Sequence, residues 1–534
     1  MKLFIVLLTG AFMLATGTSD VFAKKKEKVQ TEAKSDTVQT VSKKRNTQYP
    51  RLFKNKRVVT KKGLITIHKI NDKLYFEFPK SLLGRDFLMG SSVSATSNNT
   101  SGLVGQTMTT PLHIRFAIQE DHIYMQNVTP VSRMDVYSNQ SDISRAVAKS
   151  NITPNMESFK IAAYNMDSTA VVFEVTKFFL ADNKRLPLFD QNSASLEDEK
   201  YGKLELKAIL KKNLSSIRNF YVFDDNLEIN LDMSFYQSLL ANKREVRGGN
   251  VRVKAVYSML LLPEEVMTWR LGDPRLGYTY TKKQKISTEK DGTAFSYLQH
   301  KWNLLPTDKE AYRRGDLVAP RKPVLFYIDS DFPEAWKKAI KEGVNWWNEA
   351  FKMAGFKDAV QTADFPANDT TFYAGNLKYS CIRYVPVNLS KTQSKVWVDP
   401  RSGEIINGTI FVGHDIAKTI ASQRFVQTAQ VDERMRGIQL ADNASASAAF
   451  SVESLRSPEF TRQNGIASSV MDELPYNYIA QPQDGKADFI QNKLGAYDLF
   501  AIQMGYMLVP DAKTPEEIRE KIMRWVSMKS GDPV

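Results

Sequence analysis

Through the first half of the chain, apolar residues fall at every second position in short runs. Leu112, Ile114, Phe116 and Ile118 alternate with polar or small residues, and Glu120-Asp121 then turns the chain into His122-Ile123-Tyr124-Met125. Period-two runs broken by turn residues predict half-buried strands. Residues 65–70 and 74–78 flank Asn71-Asp72-Lys73, a hairpin signal. Further strands are expected at 170–175, 219–223, 227–231 and 251–262. Repeated short strands with turns between them predict a sandwich or an open barrel. His68, His113 and His122 fall within these strands and read as packing residues, with no carboxylate–histidine constellation around them.

The pattern changes after a polar stretch punctuated by Pro306, Gly315, Pro320 and Pro323. Residues 324–328 form a continuous apolar run, which predicts a buried strand. Asp331 is then expected to cap a helix with Pro333 in its first turn. Trp336, Ile340, Val344, Trp347 and Phe351 are spaced by four, four, three and four residues, one helical face that Gly355 ends. That stripe reads as core packed on a sheet. Strands are expected at 380–385, 395–398 and 404–412, a polar helix at 415–426 and an amphipathic stretch at 515–528. The fold class expected is α+β, with β-rich N-terminal modules followed by an α/β domain.

At 534 residues, 42% hydrophobic and 25% charged, the chain has room for several globular domains. Its start reads as a secretory signal: Lys2, an apolar run at 3–14, then Val21 and Ala23 ahead of Lys24. That run is too short to span a membrane and no later one is long enough, so no transmembrane segment is expected. The formal charge of +14 is concentrated at 24–62, which holds fourteen Lys/Arg and three Asp/Glu. The low-complexity arm at 24–44 reads as a solvated linker, and no nucleic-acid partner is expected. Cys381 is the only cysteine, so no internal disulfide can form. The segmentation expected is a signal peptide at 1–23, a basic linker at 24–48, a short β module at 49–94, a β-rich module at 95–305 and an α/β domain at 320–534. The destination is the periplasm, the cell envelope or the exterior.

Several local stretches occur in a telling order. They are 323–329, Glu342-Gly343-Val344 with Ala354-Gly355-Phe356, and Val398-Asp399-Pro400-Arg401-Ser402-Gly403-Glu404-Ile405. Phe425-Val426-Gln427-Thr428, Ser454-Leu455-Arg456-Ser457-Pro458 and Gly495-Ala496-Tyr497-Asp498 follow. Upstream stand Leu52-Phe53-Lys54 and Gly272-Asp273-Pro274-Arg275-Leu276-Gly277-Tyr278. Together they resemble the secreted Bacteroidetes zinc-dependent metalloproteases related to the EcxA peptidases, with two uncharacterised modules before a metzincin domain. Ser469-Val470-Met471-Asp472 resembles the Met-turn of that family. The resemblance implies zinc as the family cofactor and metallopeptidase activity.

A metzincin takes its zinc ligands from H-E-x-x-H-x-x-G-x-x-H, with the Glu as general base. The five histidines here are His68, His113, His122, His300 and His414. None has a partner four residues away, and none follows His414. Where the family places its zinc helix, Gly437-Ile438-Gln439-Leu440 runs into Ala441-Asp442-Asn443. Asp442 stands at the position of the third ligand; the other two and the Glu have no counterpart. No catalytic residue and no metal-ligand set is assigned, no bound cofactor is expected, and Met471 reads as a core residue. The resemblance also implies sequence beyond Val534, so the domain reads as incomplete at the zinc helix and at the C-terminus.

Three readings stay open. One is an inactive pseudoprotease that binds peptide or protein, with Ile405, Asn407, Thr409 and Phe411 on a strand edge that accepts an added peptide. Another is an active zinc metallopeptidase using His414, Asp442 and a further carboxylate. The third is a non-catalytic cell-envelope module whose β-rich half contacts glycan or a partner protein.

Overall fold

The computed structural model describes residues 48–529 apart from 98–103, 106, 129–133, 137–144, 147–148, 190–195, 199–201, 287–293, 370–371, 387–392, 416–439, 441–442, 473–476, 478, 486 and 492. The expected signal peptide, the basic arm at 24–44 and, past Asp415, the polar helix at 415–426 lie outside the described residues.

The alternating runs of the first half become strands. β1 (Val58–Lys62), β2 (Thr66–Ile70), β3 (Lys73–Pro79) and β4 (Phe87–Thr96) come first. β5 (Leu112–Gln119), β6 (His122–Asn127), a short β7 (Met134–Val136), β8 (Asn155–Tyr164) and β9 (Ala170–Glu174) follow. β10 (Leu196–Asp198), β11 (Gly202–Leu210) and β12 (Ser216–Val222) lead into the long pair β13 (Asn226–Ala241) and β14 (Arg244–Leu261). Asn71 takes φ 55° in the β2–β3 turn, a conformation Asn tolerates and the hairpin requires.

Thirteen of these strands form one antiparallel sheet in the order β1-β2-β3-β9-β8-β6-β5-β4-β14-β13-β11-β10, with β12 on β13. Its two ends approach each other. The Leu64 amide donates to Phe223 O (2.6 Å), and the Lys61 and Lys69 ammoniums donate to Phe220 O (2.7 Å) and Ile217 O (2.8 Å). The curl encloses one core, in which Phe76, Phe78, Phe87, Phe116 and Phe173 gather. Of the two architectures expected, this is the open barrel. Burying each such aromatic stabilises by about 2–3 kcal/mol before the entropy of ordering is charged against it.

The histidines of this half correct the expectation that they lack carboxylate partners. His68 Nε2 meets Glu77 at 2.9 Å, and His113 Nε2 meets Asp86 at 2.8 Å. Neither partner is adjacent in sequence; strand pairing brings each pair together across the sheet.

β15 (Tyr280–Ile286) and β16 (Ala294–Gln299) make a small sheet with β7. The second half is built on β17 (Val324–Ile328), β18 (Val360–Asp364), β19 (Ser380–Val385), β20 (Gln393–Val398) and β21 (Ile405–Gly413), in the order β18-β17-β19-β21-β20. All pairings are parallel except β20–β21. The helix Glu334–Met353 covers one face, burying Val344, Trp347, Ala350 and Phe351. Trp336 and Ile340, further toward its start, are half-buried. Pro333 rather than Asp331 takes the N-cap, with no side-chain cap bond.

The other face of this sheet packs on the β-rich half. Trp397 joins Leu88, Leu260, Leu262 and Leu377, and Gly90 leaves room for its ring, 3.1 Å from where a Cβ would sit. Arg401 ties the halves together. Its guanidinium pairs with Asp399 (2.7 Å) and Asp86 (3.4 Å) and donates to Pro263 O (2.7 Å). Burial opposes ionisation of Asp86, but His113 and Arg115 outweigh it and hold the carboxyl well below the usual range. The fold is α+β, strand-dominated at the start with helices toward the C-terminus. Among the described residues no helix is long and apolar enough to cross a membrane.

Candidate functional site

The turn at 469–472, the stretch that resembles a Met-turn in sequence, is built from below by the helix Ala496–Tyr506. Asp498, in the first turn of that helix, accepts the Ser469 hydroxyl (2.6 Å), the Val470 amide (2.8 Å) and the Gly495 amide (2.8 Å). Gly495 lies against the Ser468 backbone, where a Cβ would collide. Burial pushes the Asp498 carboxyl up to about 6, against these three donors, which pull it down. From above, the Asn443 amide donates to Met471 O (2.8 Å) and the Ser447 amide to Asp472 Oδ2 (2.6 Å). Met471 itself is 1% exposed and belongs to the core under the helix Glu334–Met353, as expected of a packing residue. The far end of Ala496–Tyr506 is held by buried Arg270, which donates to Met504 O and Met507 O, each at 2.6 Å. That contact spans more than two hundred residues and satisfies carbonyls that a helix C-terminus leaves open.

The other residues singled out in the sequence do not meet here. Asp442 lies outside the described residues. His414 is exposed, its Nδ1 bonded to the Tyr384 hydroxyl and its ring stacked on Trp336 at 6.2 Å between centroids. Among the described residues no group of three His, Cys, Asp or Glu side chains is arranged to hold a metal. With no histidine or cysteine after His414, residues 415–534 offer zinc only oxygen donors, so the side chains at the Met-turn do not fit a metzincin zinc. Cys381 is buried, and burial pushes its thiol up to about 12.

The peptide-edge expectation needs correction. Ile405, Asn407, Thr409 and Phe411 lie on β21, which is paired with β19 on one side and β20 on the other. All four are buried. The physical reason is the hairpin through Asp399–Gly403: it returns the chain so that β20, the earlier strand, is left outermost. Asn407 donates to Leu377 O (3.0 Å) and Tyr379 O (2.9 Å), satisfying carbonyls beyond the end of β19.

Sequence reading missed a cavity of about 570 Å³ between the two halves, into which Thr409 and Phe411 face. Glu228 of β13 is buried there, accepting the Tyr373 hydroxyl (2.6 Å) and Asn230 Nδ2 (2.9 Å). Its carboxyl is raised by burial. Lys395 of β20 enters from the opposite side; burial pushes its ammonium down to about 8. The available signal was slight: Arg383 interrupts an apolar strand run, and Lys395 stands directly before one.

Three family models match this chain. Residues 47–96 and 105–307 match two described as domains of unknown function (DUF5118 and DUF5117), and residues 437–534 match one described as Met-zincin. The C-terminal part is metzincin-like. The Met-zincin match contains both the turn at 469–472 and its supporting helix Ala496–Tyr506. The DUF5118 segment supplies β1 to β4 and the DUF5117 segment the strands that pair with them, so the two modules share one sheet. No curated protein and no solved structure matches the chain.

Proposed function

We propose that this chain is an exported, metzincin-like protein that binds peptide or protein segments without hydrolysing them. One observation carries the reading: a stretch resembling a Met-turn stands at 469–472, while H-E-x-x-H occurs nowhere and no histidine follows His414. Peptide hydrolysis of the metzincin kind needs a metal to polarise the carbonyl and lower the pKa of water, and a carboxylate to take the proton. What remains is a strand framework. β20 is the outer strand of its sheet, and its far side has no backbone partner among the described residues. It borders a groove of about 240 Å³ lined by 107–111. An extended segment adding there would be held by backbone hydrogen bonds alone. Incubating the purified protein with casein and a mixed peptide library, with and without added zinc, is expected to yield no new fragments by mass spectrometry. Chelator-sensitive cleavage by homogeneous protein, lost in His414→Ala, would overturn the proposal.

A further inference from the structure

The cavity between the two halves carries more positive charge than its own side chains neutralise. Arg383 and Lys395 reach into it, and Arg218 and Lys254 stand exposed at its rim; Glu228 is the one acidic residue lining it among the described residues. Glu228 is already engaged by Tyr373 and Asn230. Its charge is felt by both inner cations, but among the described residues it makes no hydrogen bond to either.

The two inner cations are underused. Lys395, 9% exposed, has three N–H donors and bonds only Ser92 Oγ (3.2 Å) among the described residues, with its ammonium 5.2 Å from the centre of the Trp397 ring. The Arg383 guanidinium lies 5.9 Å from the centre of the Phe411 ring, and its buried Nε–H has no hydrogen-bond partner among the described residues. A buried donor left unmade is costly, and two cations converging on one space are costlier still. A carboxylate placed between them would accept from both, and Arg383 offers the fork geometry that a carboxylate matches. Tyr221, Tyr379 and Phe411 supply apolar wall for the body of such a ligand.

We propose that this cavity is a binding site for a carboxylate, held by Lys395 and Arg383 and carried by a small organic acid or by the C-terminus of a peptide. Three segments build it: β4 supplies Ser92, β13 supplies Glu228, and the five-stranded sheet supplies Arg383 and Lys395. Occupancy therefore couples the two halves of the molecule. The inference does not rest on the peptide-binding reading, which concerns the backbone edge of β20.

Calorimetric titration of the full mature chain tests it. The probes are succinate, N-acetyl-leucine, Ala-Ala-Ala with a free carboxyl, and the same tripeptide as its C-terminal amide. At least one carboxylate probe is expected to bind, and to raise the melting temperature of the protein. The source is decided by which acid binds better. Tight binding of the free tripeptide, with its amide at least about tenfold weaker, identifies a peptide C-terminus; tighter binding of succinate or N-acetyl-leucine identifies a small acid. Lys395→Met and Arg383→Gln are each expected to weaken the favoured probe at least about tenfold. Circular dichroism confirms that the variants are folded. No binding of any carboxylate up to about 10 mM would overturn the proposal. So would affinity for the favoured probe unchanged in folded Lys395→Met, or equal binding of that probe and its own neutral amide. Should a variant fail to fold, the favoured carboxylate probe compared with its own neutral amide on the wild-type chain still decides.

Discussion

At Asp498, burial and hydrogen bonding act in opposite directions on one carboxyl. Burial raises it to about 6, while Ser469, Val470 and Gly495 donate to its charged form. Removing it leaves buried donors unmade, so Asp498→Ala is expected to cost about 3 kcal/mol in urea unfolding. The pH dependence has a definite sign. The folded carboxyl holds its proton more tightly than an unfolded Asp, near 3.9, so its contribution to stability falls as pH rises from about 4 to about 6. In Asp498→Asn that part of the slope should vanish; an identical slope in variant and wild type would refute the assignment. The sequence places Asp498 in a family-like stretch, but its bracing of the turn depends on partners 28 and 29 residues back. Likewise His113 and Asp86 lie 27 residues apart, which is why no local pattern reveals their pair.

At the scale of elements, periodicity was most legible where one face is buried and the other wet. β19 falls at 380–385 as expected, and the helix stripe of Val344, Trp347 and Phe351 is buried as its spacing requires. Trp347→Ala should cost about 3–5 kcal/mol, the range for deleting a large buried aromatic. Trp336→Ala should cost clearly less, since Trp336 is half-buried beside Phe332, Tyr384 and His414. Denaturant midpoints of the two variants measure the difference, and equal losses would show the face to be wrongly apportioned. Strand order is a different matter. Alternation identifies β20 and β21 as strands, but it carries no information on which is outermost. Only the hairpin geometry at 399–403 decides that, and it moves the free edge from Asn407 and Thr409 to β20.

Across the whole molecule, two halves with separate cores meet through Trp397, Arg401 and the cavity that holds Glu228 and Lys395. The misplaced charge of Arg383 hints at a polar site, but no local pattern joins the members of that junction, because they come from β4, β13, β20 and the turn after it. Export is a prediction at this scale. The run at 3–14 with Val21 and Ala23 motivates cleavage after Ala23, so N-terminal sequencing of the mature protein should begin at Lys24. A mature chain still beginning at Met1 would count against it. We propose that a metzincin-like framework persists here without the groups that would hold and use a metal. Elemental analysis after equilibration with zinc and exhaustive dialysis tests this most directly. Far less than one zinc per chain is expected; about one zinc retained per chain, and lost in Asp442→Ala or His414→Ala, would refute the proposal.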